Sequence, residues 1–191
     1  MHGLQLLFAA GLAAGSPAVP VAANPVRSAY TTVDLKVCQP IKRSGPSRAW
    51  RCEGLPGVPV YVAAGNLQHF VSAGSNAETR RAATQTLDAS NSIFASGSAR
   101  ATIEWRFDRR GEQQVPYAMI IRFHTSRQGK RGDVLVVYKV SASETCHAAH
   151  IDALANDRAI ALARAIADGK AKTFDCSREP ATEGASGRSP M

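Results

Sequence analysis

Three successive stretches of the chain alternate apolar and polar residues with a period of two, and this pattern constrains the fold more than any other feature. The stretches are residues 101–108, 115–124 and 133–141. In the first, Ile103, Trp105 and Phe107 fall on one face of an extended chain, as in a half-buried strand. The third is almost continuously apolar, which indicates a central strand. Polar turns separate the stretches, so we predict an antiparallel meander.

Two helices are predicted beside these strands. Asn156 is a favourable N-cap for a helix that ends just before Gly169. Ser75 and Glu78 have the spacing of a capping box, which predicts a second helix over residues 76–87. The expected fold class is therefore α+β: an antiparallel β-sheet (meander) with one long C-terminal helix packed on it and a short surface helix.

The N-terminal residues have the pattern of a secretory signal peptide. The apolar run Leu4–Ala14 has about half of the roughly 20 residues that a membrane-spanning helix needs. Ala23 offers a small residue for cleavage. We predict a signal peptide over residues 1–23, a single globular domain over 31–176 and a disordered tail over 177–191, with no transmembrane segment.

The four cysteines agree with export to the periplasm or the medium. An even number of cysteines in an exported chain predicts disulfides. Three pairings are open, and we favour the local one, Cys38–Cys52 and Cys146–Cys176. A zinc site is the alternative, but the chain has no Cys-x-x-Cys motif. No metal and no cofactor are expected.

Four segments of the chain form a recognisable set: Trp50-Arg51-Cys52, Ile103-Glu104-Trp105-Arg106, Cys146-His147 and Phe174-Asp175-Cys176. With these segments the sequence resembles a family of small exported, disulfide-bonded bacterial proteins of unknown function. The resemblance covers roughly residues 30–176. It implies export, two disulfides and a single domain, and it implies no catalytic residues.

The densest polar cluster is the segment from Cys146 to Asp152, which contains His147 and His150. Histidine and aspartate side chains are used as metal ligands and as acid–base pairs. On a regular strand His150 and Asp152 share a face and His147 points away, with His124 as a further recruit. On a helix His147 and His150 would meet instead, and Asp152 would not join them. His150, Asp152 and His147 are weak catalytic candidates. The alternative is that Asp152 orders the approach to the C-terminal helix and the histidines bond locally.

Positive charge is the other functional signal. The 191 residues include 23 Lys and Arg against 15 Asp and Glu, for a formal charge of +8. The weak basic-patch candidates are Lys42, Arg43, Arg109, Arg110, Arg127, Lys130 and Arg131. They would suit an anionic component of the cell envelope, or another exported protein. Nucleic acid is not expected, because aromatic residues, at 6%, are too sparse for stacking. The alternative is that the arginines only reflect compositional bias.

Function is therefore predicted in general terms only. The favoured hypothesis is a non-catalytic binding or envelope-associated protein that is periplasmic or secreted. The alternatives are a small exported hydrolase that uses a metal or a His/Asp pair, and an inhibitor of an extracellular enzyme. The composition is that of an ordinary globular protein, which excludes disordered, collagen-like and coiled-coil chains.

Overall fold

The computed structural model describes residues 27–42, 45, 47–110 and 113–191, with only the backbone at Arg27, Arg109 and Arg110. The predicted signal peptide and Arg43 lie outside these residues. The strands of the described part are β1 (Arg27–Asp34), β2 (Gln39–Ile41), β3 (Arg48–Leu55), β4 (Val58–Gly65), β5 (Gln68–Ala73), β6 (Ser90–Ser92), β7 (Arg100–Arg110), β8 (Gln113–Arg127), β9 (Lys130–Val140), β10 (Thr145–Asp152) and β11 (Ala181–Thr182).

The strands form two sheets that pack face to face. The larger sheet has the order β1-β7-β8-β9-β10-β11, with β6 also paired to β8, and the smaller has the order β2-β3-β4-β5. Alternate residues of β7 to β9 face the smaller sheet, because the side chains of a strand alternate between its faces. The core between the sheets includes Val60, Val62, Val71, Ile103, Trp105, Phe123 and Tyr138.

The predicted α+β fold class is wrong. Strands make up 51% of the structure and helical residues 13%, and the C-terminal helix α1 (Ala159–Gly169) has only 11 residues. In place of the surface helix are two 3-10 turns, Ala77–Thr79 and Arg81–Ala83. Arg80 is extended between them (φ −74°, ψ 155°). Its guanidinium donates to the carbonyls of Ser75 and Ala142, so tertiary contacts override the local helix signal.

Helix α1 covers part of the outer face of the larger sheet. Its small apolar residues pack on the sheet, including Ala163 and Ala167. Beside them Arg106 of β7 donates to both carboxylate oxygens of Asp168, at 2.8 and 2.7 Å.

Residues 177–191, for which we predicted a disordered tail, run along the edge and end of the larger sheet in the structure. Strand β11 pairs in parallel with β10. The carboxylate of Asp152 accepts the backbone N–H groups of Arg188 and Ser189 at 2.7 and 2.8 Å. Ser189 packs so closely on Gly132 that a Cβ at this position would lie 2.5 Å from the serine Cβ. Long-range hydrogen bonds, which composition does not reveal, order this segment.

Both disulfides have the local pairing that we favoured. Cys38 bonds to Cys52, and Cys146 bonds to Cys176. The second joins the start of β10 to the segment that follows α1. Two disulfides are typical of a protein that folds in an oxidising compartment. Within the described residues, no helix has the length and apolar character needed to cross a membrane.

Candidate functional site

The structure brings together two members of the predicted histidine cluster. A register shift in β10, between His147 and Ala149, turns both imidazoles to the same face, as a β-bulge can. Nδ1 of His147 and Nε2 of His150 lie 2.9 Å apart. Burial lowers the pKa of His147 well below its ordinary value and lowers that of His150 to about 4. The pair is therefore neutral at neutral pH and shares one hydrogen bond.

Asp152 does not join this pair in a catalytic arrangement. Its carboxylate accepts backbone N–H groups from Leu154 and Ala155 at 3.1 and 3.2 Å, in addition to those of the C-terminal segment. Burial would raise the pKa of Asp152, but these bonds and the Ser189 contact outweigh it and lower the pKa. Asp152 therefore holds the turn after β10 and the C-terminal segment together. This role is close to the alternative from the sequence, in which Asp152 orders the approach to the C-terminal helix.

The described basic-patch candidates lie in separate parts of the molecule. The backbone of Arg109 and Arg110 lies at one end of β8, and Arg127, Lys130 and Arg131 lie at the other. A strand of 15 residues separates them by roughly 45 Å. Lys42 is exposed at the end of β2. The candidates do not form one continuous patch, but Arg131 lines a groove.

This groove has a volume of about 850 Å³, which is within the range of small-molecule sites. One wall is the tip of the β4–β5 hairpin, and the other is the part of the β8–β9 hairpin next to its turn. The short strand β6 lies between them. Its lining residues include Leu67, His69, Asn91, Ala95, His124, Arg131, Asp133 and Leu154. None of these except His124 and Arg131 was a candidate from the sequence.

Asn91 of β6 fixes the two walls relative to each other. Its backbone N–H donates to the carbonyl of Leu67 at 2.9 Å, and its side-chain oxygen accepts the N–H of His69 at 3.0 Å. On the other side Asn91 pairs with Thr125 of β8. The groove is therefore preorganised by a buried amide, which lowers the cost of ordering it on binding.

The tip of the first wall has an unusual turn. Asn66 and Leu67 have φ angles of 51° and 62°, as the two central residues of a type I′ turn must, and the second is most often glycine. The matching turn of the β8–β9 hairpin does have glycine there, with Gln128 at 51° and Gly129 at 80°. Leu67 instead has a branched side chain that is 80% exposed. A left-handed leucine costs about 1 kcal/mol.

A His/Asp pair lies in the second wall. Nδ1 of His124 is 2.6 Å from a carboxylate oxygen of Asp133, and the guanidinium of Arg122 is 3.6 Å from the other oxygen. A carboxylate on Nδ1 places the proton there and leaves Nε2 as an acceptor. The sequence pattern suggested a pair of His150 with Asp152, whereas in the structure His124 pairs with Asp133 of the neighbouring strand. The alternating pattern of β8 and β9, which places these two residues on the same face of paired strands, could have indicated this pairing.

The described residues include no group of three or more His, Cys, Asp and Glu side chains that could hold a metal ion. The His147–His150 pair lines a separate polar pocket, together with Gln85, Asp88 and Glu179.

Comparisons of the chain with protein-family models, with curated proteins and with solved structures found no match in any of the three.

Proposed function

We propose that this chain is an exported, disulfide-bonded binding protein that holds an apolar ligand in the groove between the β4–β5 and β8–β9 hairpins, without chemically converting it. The ligand would lie against Leu67 and Leu154, which are 80% and 40% exposed. Two of the five exposed large apolar side chains among the described residues thus line one groove, and exposed apolar surface of this kind is typical of interaction sites.

The observation that carries the proposal is the conformation of Leu67. A turn selected for stability alone would have glycine at this position, as the β8–β9 turn has Gly129. Backbone strain that brings no packing contact points to a functional constraint. The strained residue here is also the apolar tip of a groove of about 850 Å³, so binding is the constraint that fits.

Export is supported by the two disulfides and by the apolar leader pattern of the first 23 residues. The resemblance to exported bacterial proteins is consistent with the same compartment. We propose that the mature chain functions in the periplasm or outside the cell.

The test uses anilinonaphthalene sulfonate (ANS), an apolar fluorescent anion, as the probe. We expect saturable binding to the native protein. Leu67→Ser and Leu154→Ser should each weaken it by about tenfold, since burying a leucine is worth about 1.5 kcal/mol or more. Val37→Ser is the matched control, because Val37 is also 80% exposed but lies outside the groove. Equal binding by all four proteins would contradict the proposal.

A second candidate function is hydrolysis, which the His124–Asp133 pair favours. Nε2 of an imidazole held in this way can take a proton from a water molecule that attacks an ester. Turnover of a chromogenic acyl ester should then fall by about 100-fold in His124→Gln. Turnover that is absent from the native protein, or unchanged in the variant, would contradict this candidate.

A further inference from the structure

The charges around the groove indicate the class of ligand. Arg131 lines the groove and is exposed, and its guanidinium forms no ion pair or hydrogen bond with any described residue. Lys130, in the same hairpin, donates to the backbone carbonyl of Gly187, and Arg127 donates to an oxygen of Met191. The carbonyl of Gly187 carries no formal charge, so it leaves the positive charge of Lys130 uncompensated.

The negative charge of the groove is already balanced. Asp133 is the one carboxylate among the described lining residues. It is in contact with His124 at 2.6 Å and with Arg122 at 3.6 Å. An acidic group that entered the groove would therefore meet the uncompensated guanidinium of Arg131, whose planar fork suits a carboxylate.

The apolar and the charged surfaces are continuous. Leu154 follows Ala153, whose N–H donates to the carbonyl of Asp133 at 2.8 Å. The leucine thus lies beside the cationic wall, and Leu67 lies on the opposite wall. An occupant that covers both must combine an apolar chain with an acidic head group.

We infer that the ligand is a long-chain fatty acid, with its carboxylate at Arg131 and its chain along Leu154 and Leu67. This inference rests on the proposed binding function of the groove. It adds that the head group must be acidic and that recognition depends on Arg131.

The test compares four compounds with the same long alkyl chain: the carboxylate, the alcohol, the amine and the phosphate monoester. Binding is measured by calorimetry and by displacement of ANS at low and at high salt. We expect the carboxylate to bind at least about tenfold more tightly than the alcohol, and the amine not to bind. The preference should weaken at high salt, because exposed charges are screened.

Arg131→Gln should remove most of the preference for the carboxylate and leave binding of the alcohol unchanged. Arg158→Gln is the matched control, since Arg158 is exposed at the start of α1 and does not line the groove. Equal binding of acid and alcohol would overturn the inference but not the proposed function. Failure of all chains to bind would overturn both. Tighter binding of a phosphate-headed chain would overturn the assignment to a fatty acid.

Discussion

Acidification should destabilise this protein before its carboxylates become protonated, because His150 is buried in the neutral form. In the folded chain burial lowers the pKa of His150 from 6.5 to about 4, although Asp88 opposes the shift. The unfolded chain therefore takes up a proton near pH 6.5 and the folded chain does not. Stability from this group is complete above pH 6.5 and is lost as the pH falls to about 4.

The magnitude follows from the gap between the two pKa values of His150. At about 1.4 kcal/mol for each pH unit, a gap of about 2.5 units gives about 3 kcal/mol. His147 adds to this in the same direction, because burial and the neighbouring His150 lower its pKa further. The other ionisable groups of the pocket are Asp88, Glu179 and Arg81, and the last two pair with each other at 2.6 Å.

The assay is urea unfolding, followed by tryptophan fluorescence, at a series of pH values from about 7 to about 4. His150→Gln is the informative variant, because its amide can still donate to Nδ1 of His147 but does not titrate. We expect the variant to lose less stability than the native protein over this range, by up to about 3 kcal/mol. An equal loss in the two proteins, or no loss in the native protein, would refute the reasoning.

Three further substitutions test other parts of the structure. Replacing Cys146 and Cys176 by serine should lower the unfolding free energy by about 3 to 4 kcal/mol, because the bond spans 30 residues; a thermal scan checks this. Asp152→Asn should cost about 2 to 3 kcal/mol and expose the C-terminal segment to proteolysis, because an amide cannot accept all four backbone N–H groups. Asn91→Ala should loosen the groove, which deuterium exchange at Leu67 and its neighbours would detect as faster opening.

The strands could be predicted where a local pattern was sufficient. Ile103, Trp105 and Phe107 are all buried in β7, as the alternation required. The helix expected over residues 76–87 failed because the capping-box spacing is a local signal. In the structure Asn76 has a left-handed φ of 54°, and contacts from distant residues hold this segment in 3-10 turns.

The candidate site was harder to predict, because its residues meet only through tertiary structure. The bulge in β10 that brings His147 to His150 has no sequence signal, and alternation alone pointed these rings apart. Asp133 reaches His124 across a hairpin, nine residues away in sequence. Nothing in the sequence gives the sign of the φ angle of Leu67, which is 62° in the structure. The alternating pattern therefore predicted the three strands of the meander but not the groove.

Leu67→Gly is the most direct test of whether Leu67 is retained for binding, because the stability of the fold and its affinity for the ligand should change in opposite directions. We predict that the unfolding free energy rises by up to about 1 kcal/mol, since glycine adopts a φ of 62° without strain, although its greater freedom in the unfolded chain offsets part of the gain. In the same preparation the affinity for ANS should fall by about tenfold, since the apolar tip is lost. A variant that is less stable than the native protein, or that binds ANS equally well, would contradict the claim that Leu67 is retained for binding at the expense of stability.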